Sequence, residues 1–227
     1  MAFPIVVFDL DGTLVDTADD IIGSINNIFT KRGITQFILG SRKGLISAGG
    51  RELIKSGLKD AGLIYSDLKI QEIFREFICD YTKNVAVNSR LYSGVEHMLQ
   101  QLRGRDYKLA ICTNKSYDPA CRLLKQLEIF HFFDAVCGND SLPWCKPDPR
   151  ALLNTIRQAN GDLSRSVMIG DSIIDIQTAN RAGVPIIAVD FGYSDQPVEL
   201  LNPDFTISDY GDLLTHLESV FAKSPKG

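Results

Sequence analysis

The 227-residue sequence contains no apolar run approaching the roughly 20 residues that span a bilayer, so no membrane-spanning role is expected. It has no Lys/Arg cluster and a formal net charge of −4, which argues against a nucleic-acid partner. The N-terminal stretch MAFPIVVFDLDG shows neither a basic leader nor a small-residue cleavage site. No signal peptide is expected, and the reading that follows is cytoplasmic. Cysteine is sparse: Cys79, Cys112, Cys121, Cys137 and Cys145 are odd in number, widely spaced and free of any CxxC pair. That pattern speaks against a zinc site or a disulfide framework and for reduced thiols. Histidine is sparser still. His97, His131 and His216 are scattered, form no HExxH pair and are read as structural.

What the sequence does have is alternation. After residue 90, the short apolar runs KLAICT (108–113), FDAVCG (133–138), SVMIG (166–170), PIIAVD (185–190) and DFTIS (204–208) read as buried strands. Amphipathic stretches separate them, including 94–105, 117–130 and 148–160. Strands alternating with helices predict an α/β fold with a parallel sheet covered on both faces. Residues 16–87 break this rhythm. They carry apolar residues at helical spacing, such as Ile21, Ile25, Ile28 and Phe29, and show no strand pattern. The stretch is too long for an ordinary connection and predicts a helical insertion with a small core of its own. The expected organisation is a core of residues 1–15 and 88–227 with a cap of residues 16–87. Charge divides similarly: residues 16–92 hold eleven Lys/Arg against nine Asp/Glu, and the remainder thirteen against nineteen. A mildly basic insertion over an acidic core suggests that the insertion meets an anion.

Four stretches end strands or begin loops with polar residues: FDLDGT (8–13), CTNKS (112–116), CKPDP (145–149) and IGDSIID (169–175). In a parallel sheet such tips can converge, and ligands bind at the carboxyl ends of the strands. The candidate set is Asp9, Asp11, Thr113, Asn114, Lys146, Asp171 and Asp175. Four carboxylates together repel one another, and Lys146 alone does not balance them. A hard divalent cation such as Mg²⁺ does, taking carboxylate oxygens, waters and a phosphate oxygen. Residues i and i+2 on an extended strand point the same way, so Asp9 and Asp11 are expected to face one ligand together. A phosphate ester is the fitting substrate. Asp9 attacks phosphorus to form an aspartyl-phosphate, and Asp11 serves as acid and then base. Thr113, Asn114 and Lys146 bind the phosphate.

These motifs, in this order, resemble those of the haloacid dehalogenase superfamily: DLDGT, a strand-end Thr-Asn, KPDP and GDSIID. The resemblance covers essentially the whole chain. It implies a Rossmann-like core with an inserted helical cap of the kind that follows the first motif. It implies Asp9 as nucleophile, Asp11 as acid/base, and Thr113 and Lys146 as phosphate contacts. It implies Mg²⁺ on Asp9, the backbone carbonyl of Asp11, and Asp171, with Asp175 nearby. Within the superfamily, DLDGTLVDTADDI and GDSIIDIQTANRAGVPIIAVDFGYSD look most like phosphoglycolate phosphatases. The expected activity is Mg²⁺-dependent hydrolysis of a small phosphorylated metabolite, with 2-phosphoglycolate the first choice, by a monomer or homodimer. Cap residues select the leaving group in this family. SAGGRELIK offers Arg51, with Lys55 and Lys43 nearby, for a substrate carboxylate. A β-phosphoglucomutase-type phosphotransferase is the main alternative, although no histidine lies between Asp16 and Glu96 where such relatives usually carry one. Pyrophosphatase or nucleotidase activity stays open. A non-catalytic binding protein on the same scaffold has no physical reason to keep four mutually repelling carboxylates.

Overall fold

A computed structural model describes residues 3–223. The chain runs β1 (Phe3–Phe8), β2 (Val15–Asp16), α1 (Ala18–Lys31), α2 (Gly50–Asp60), α3 (Asp67–Lys83), β3 (Arg90–Leu91), α4 (Val95–Gly104) and β4 (Lys108–Cys112). It continues through α5 (Tyr117–Gln126), β5 (Ala135–Cys137), α6 (Pro149–Gln158), β6 (Gly161–Gly170), α7 (Ile173–Ala182), β7 (Ile186–Val189), β8 (Phe205–Ile207) and α8 (Leu213–Lys223). Six strands form one parallel sheet in the order β5-β4-β1-β6-β7-β8. The α/β, Rossmann-like expectation is met.

The sheet is buried on both sides, which is why β1 reads as a continuous apolar run rather than an alternating one. Val6 and Phe8 pack with Leu109, Ile111, Val167 and Ile169 beneath α4, α5 and α8, while Ile5 and Val7 pack with Ala110, Met168 and Ile186 beneath α6 and α7. Fully burying each such side chain stabilises the fold by about 1.5–3 kcal/mol. The order places β1 at the switch point, with β4 and β6 on its two sides. Register then levels the strand tips. Phe8 pairs with Ile111 and with Ile169, so Asp9, Thr113 and Asp171 emerge at one edge.

The helical stretch lies between β2 and β3, which pair antiparallel through Val15–Leu91 and Asp16–Arg90. This two-residue ribbon closes the neck of the cap and carries no periodic signal. Asp20, at the start of α1, pins the other end of the neck. Its carboxylate accepts from Ser89 N at 2.8 Å and Ser89 Oγ at 2.7 Å, and from Asn88 N and Nδ2 at 3.0 Å. Burial alone raises a carboxyl, but these donors win and hold Asp20 below the ordinary carboxylate range.

Three expectations need correction. The cap does not have a separate core: its buried Ile25, Phe29, Leu53 and Phe77 belong to one apolar cluster with Phe8, Leu10 and Ile111 of the sheet. The helix expected over 117–130 ends at Gln126, where Glu128 takes a left-handed φ of 61° and turns the chain out. The strand expected at 166–170 begins at Gly161, whose missing side chain admits Ile5 of β1; a Cβ there would sit 2.6 Å from Ile5 Cγ2.

Candidate active site

Asp9 follows the last residue of β1 and is 2 % exposed. Its Oδ1 accepts from Leu10 N at 2.7 Å and lies 2.9 Å from Lys146 Nζ. No donor among the described residues engages Oδ2. Lys146 Nζ also donates to Asp175 Oδ1 at 2.6 Å. Ligand atoms of Asp9, Asp171 and Asp175 all lie within 4.8 Å of one another. Each is held from behind. Asp171 Oδ1 accepts from Thr13 Oγ1 at 2.9 Å and Oδ2 from Tyr193 N at 2.7 Å. Asp175 Oδ2 accepts from Ser172 N at 3.1 Å and Ser172 Oγ at 2.6 Å, a reciprocal cap at the start of α7. Two glycines make room. A Cβ on Gly12, whose φ is 82°, would sit 2.5 Å from Asp171 Oδ2, and one on Gly192 would sit 2.2 Å from Asp171 Cβ.

Electrostatically this cluster is unfinished. Burial, only partly opposed by Lys146, pushes Asp9 up to about 6, and Asp175 adds repulsion. Burial and the two neighbouring carboxylates push Asp171 well above its ordinary value. Burial opposes the charge on Lys146, but Asp175 and Asp9 outweigh it and hold the ammonium firmly protonated. Three buried carboxylates against one ammonium, with only oxygen donors, fit a hard divalent cation of the Mg²⁺ kind. Asp9, Asp171 and Asp175 are the side chains that would hold it. Among the described residues no other group of His, Cys, Asp or Glu has this arrangement. Cys112, one strand over, is pushed up to about 12 by burial and stays a protonated thiol.

Asp11 stands apart from this cluster. The chain leaves the extended conformation after Phe8, so the two-residue alternation that would aim both carboxylates at one ligand no longer holds. The Asp11 carboxylate turns toward the cap. Oδ1 accepts from Thr17 Oγ1 at 2.7 Å, and Lys115 Nζ donates to Oδ1 and Oδ2 at 2.7 and 2.9 Å. Lys115 Nζ also sits 4.6 Å above the ring of Tyr81 on α3. Asp11, Lys115 and Tyr81 line a cavity of about 20 Å³ at the junction of core and cap, with Gly49, Phe77 and Asn114 among its other walls. That is room for about one water molecule.

Thr113, 4 % exposed, follows β4; its N–H donates to Cys137 O at 3.0 Å and its Oγ1 accepts from Lys115 N at 3.2 Å. Asn114 bridges cap and core through Nδ2, which donates to Ser47 O and to Lys146 O, both at 3.1 Å. Three buried polar atoms near this junction lack a partner: Asn114 Oδ1, Tyr81 Oη and Ser47 Oγ. Arg51 is not brought to the site. It sits on α2 with its guanidinium 3.4 Å from Asp67, and that side chain is 40 % exposed. The basic residues of the cap mostly point outward into ion pairs, as in Arg32 with Glu72 and Glu76 and Arg42 with Asp60. The cation that faces the cavity comes from the core and is Lys115. Sequence reasoning counted one lysine where the structure has two. Lys115 was visible beside Asn114, but adjacency in a loop does not say which way a side chain turns. Thr13, Thr17, Tyr81 and Tyr193 were missed because their partners lie at strand tips or in helices remote in sequence.

A family profile described as haloacid dehalogenase-like hydrolase matches residues 6–189. The phosphoglycolate phosphatase of Mesorhizobium japonicum is 38 % identical over 217 residues, covering 96 % of both chains. That of Agrobacterium fabrum is 39 % identical over 212 residues, covering 92 % of this chain and 90 % of its own. A predicted phosphoglycolate phosphatase from Haemophilus somnus superposes with a TM-score of 0.86 at 28 % identity, covering 94 % of this chain and 97 % of its own. With its strand-tip carboxylates, its capped parallel sheet and these relatives, the chain belongs to the haloacid dehalogenase-like hydrolase family.

Proposed function

We propose that this hydrolase removes phosphate from a small anionic phosphomonoester, 2-phosphoglycolate being the favoured substrate, through a phospho-Asp9 intermediate. The observation that carries the reading is the separation of Asp9 and Asp11 into two environments. Asp9 lies against Lys146 with Oδ2 unengaged. Asp11 lies two residues on, against the cap-side cavity. A nucleophile and an acid/base catalyst for the leaving group need such a division.

Asp9, with its carboxyl near 6, is mostly ionised at neutral pH and attacks phosphorus through Oδ2. Lys146 supplies positive charge to the phosphoryl oxygens, and the Thr113 hydroxyl and neighbouring N–H groups bind them. A bound divalent cation held by Asp9, Asp171 and Asp175 would add the remaining charge neutralisation. Asp11, entering the step with its carboxyl protonated, gives that proton to the departing alkoxide and then, as a carboxylate, takes one from the water that hydrolyses phospho-Asp9. The cap excludes bulk water during transfer and opens to admit that one water. No histidine lines the cavity beside Asp11, so the phosphomutase alternative gains no support here.

The test is phosphate release from 2-phosphoglycolate, pyrophosphate, nucleoside monophosphates and hexose phosphates, with Mg²⁺ and with chelator. The expected result is metal-dependent release that is fastest from 2-phosphoglycolate. Consumption of β-glucose 1-phosphate without free phosphate would overturn the reading in favour of a mutase.

A further inference from the structure

The cavity beside Asp11 contains a cation and a hydroxyl with no catalytic role so far. Lys115 is 8 % exposed, and its ammonium touches only the Asp11 carboxylate and the face of Tyr81. Tyr81 is 1 % exposed, and its hydroxyl makes no hydrogen bond. A buried hydroxyl without a partner is costly to the fold, so a fold that keeps one has another use for it. Burial and the nearby Asp11 charge push Tyr81 well above its ordinary value, which keeps its hydroxyl a donor. Ser47, 4 % exposed, offers a second unpartnered hydroxyl on the cap loop whose Gly49 and Ile46 line the same cavity. The Lys115 ammonium and the unsatisfied Tyr81 hydroxyl line one small space beside Asp11 and form a receptor for an anion. Phosphate belongs at Asp9, and the leaving group extends from phosphorus toward its acid, Asp11. The anion at this second place is therefore a negative charge on the leaving group.

We propose that Lys115 and Tyr81 form the subsite for the substrate's carboxylate, with the ammonium of Lys115 and the hydroxyl of Tyr81 as its two donors. This rests on the phosphatase reading and deepens it, because it assigns leaving-group recognition to a core lysine and a residue of α3. The subsite is completed only when the cap is seated, since Lys115 comes from the loop after β4 and Tyr81 from the cap. Specificity then depends on closure, and a substrate lacking the carboxylate leaves the Tyr81 hydroxyl unsatisfied and Lys115 paired with Asp11 alone.

The measurement is the ratio of kcat/KM for 2-phosphoglycolate to that for ethyl phosphate, which replaces the carboxylate by a methyl group. Wild-type protein should favour 2-phosphoglycolate. Lys115→Met should lower the ratio about 30-fold, the scale of one charge-assisted hydrogen-bonded contact. If Lys115 only holds Asp11, both rates fall together, the ratio stays put and the proposal fails. Tyr81→Phe deletes an atom that bonds to nothing in the protein, so it should fold whatever Lys115→Met does. It should lower the ratio about fivefold; an unchanged ratio overturns the subsite independently. A wild-type protein that hydrolyses both esters equally well overturns the subsite and leaves the phosphatase standing. One that frees phosphate from neither overturns both.

Discussion

Asp9 and Asp11 are two residues apart, yet they occupy two different kinds of site. The Asp9 side is built wholly within the core, from strand tips, following loops and the first turn of α7, and its charges do not balance. The Asp11 side is built across the domain boundary, by Thr17 at the neck, Lys115 in the core and Tyr81 in the cap, and its carboxylate has a full set of donors. One side carries its unbalanced charge in the folded core, where a bound cation would relieve it. The other has its electrostatics satisfied at rest and depends on how the cap sits. On the proposed reading, phosphoryl transfer belongs to the first side and recognition of the leaving group to the second.

The largest effect should come from breaking the Asp9 side. Asp9→Asn should lower phosphate release by roughly 10⁴-fold or more, as loss of a covalent nucleophile does. In chelator at pH 7.5 the same variant should be more stable than wild type, because it removes one of three crowded carboxylates.

That imbalance should also appear in the pH dependence of stability without metal. The folded-state value of Asp9 is raised to about 6 from 3.8, so the folded state binds its proton more tightly than the unfolded chain does. The stabilisation is present at low pH and is lost as pH rises through about 6. Denaturant titrations in chelator should show the Asp9 shift adding about 1.4 kcal/mol of stability between pH 7.5 and pH 5. Asp9→Asn should show much less of that gain. Below about pH 4 the trend should reverse, since Asp20 and Asp134, both held below their ordinary values, then lose their partners.

The cap-dependent side is sharpened by Asp20→Asn. The change weakens the anchor that joins α1 to Asn88 and Ser89, leaving buried donors on a poorer acceptor. It should cost about 1–2 kcal/mol in denaturant unfolding and raise KM for 2-phosphoglycolate more than it lowers kcat. The smallest effect is expected from Arg51→Ala. An exposed pair with Asp67 at 3.4 Å contributes little, so kcat/KM should stay within about twofold. A large fall in KM-governed rate would return Arg51 to the substrate.

The outcomes for Arg51 and Lys115 show what could and could not be read in advance. Both were cations in glycine- or asparagine-marked loops, and nothing local distinguished them. Arg51 emerges in the first turn of α2 facing Asp67, while Lys115 turns inward because the β4 tip places it across from Asp11. Periodicity found the helices of the cap, but not the two-residue ribbon of Val15–Asp16 and Arg90–Leu91, which is too short for any pattern. It also could not tell a separate cap core from one continuous with the sheet, since an apolar face does not name its partner.

The sequence by itself determined the alternation of buried strands and amphipathic helices, the position of the helical insertion, and four polar strand tips. Those are local properties: they follow from burial and from residue types a few positions apart. Only the tertiary structure decided that Asp9, Asp171, Asp175 and Lys146 share one charged cluster, and that Asp11 turns away to Lys115 beneath Tyr81. Strand order, register and the seating of the cap fix those distances. Each depends on contacts between segments up to 166 residues apart, such as Asp9 and Asp175 on the two sides of Lys146.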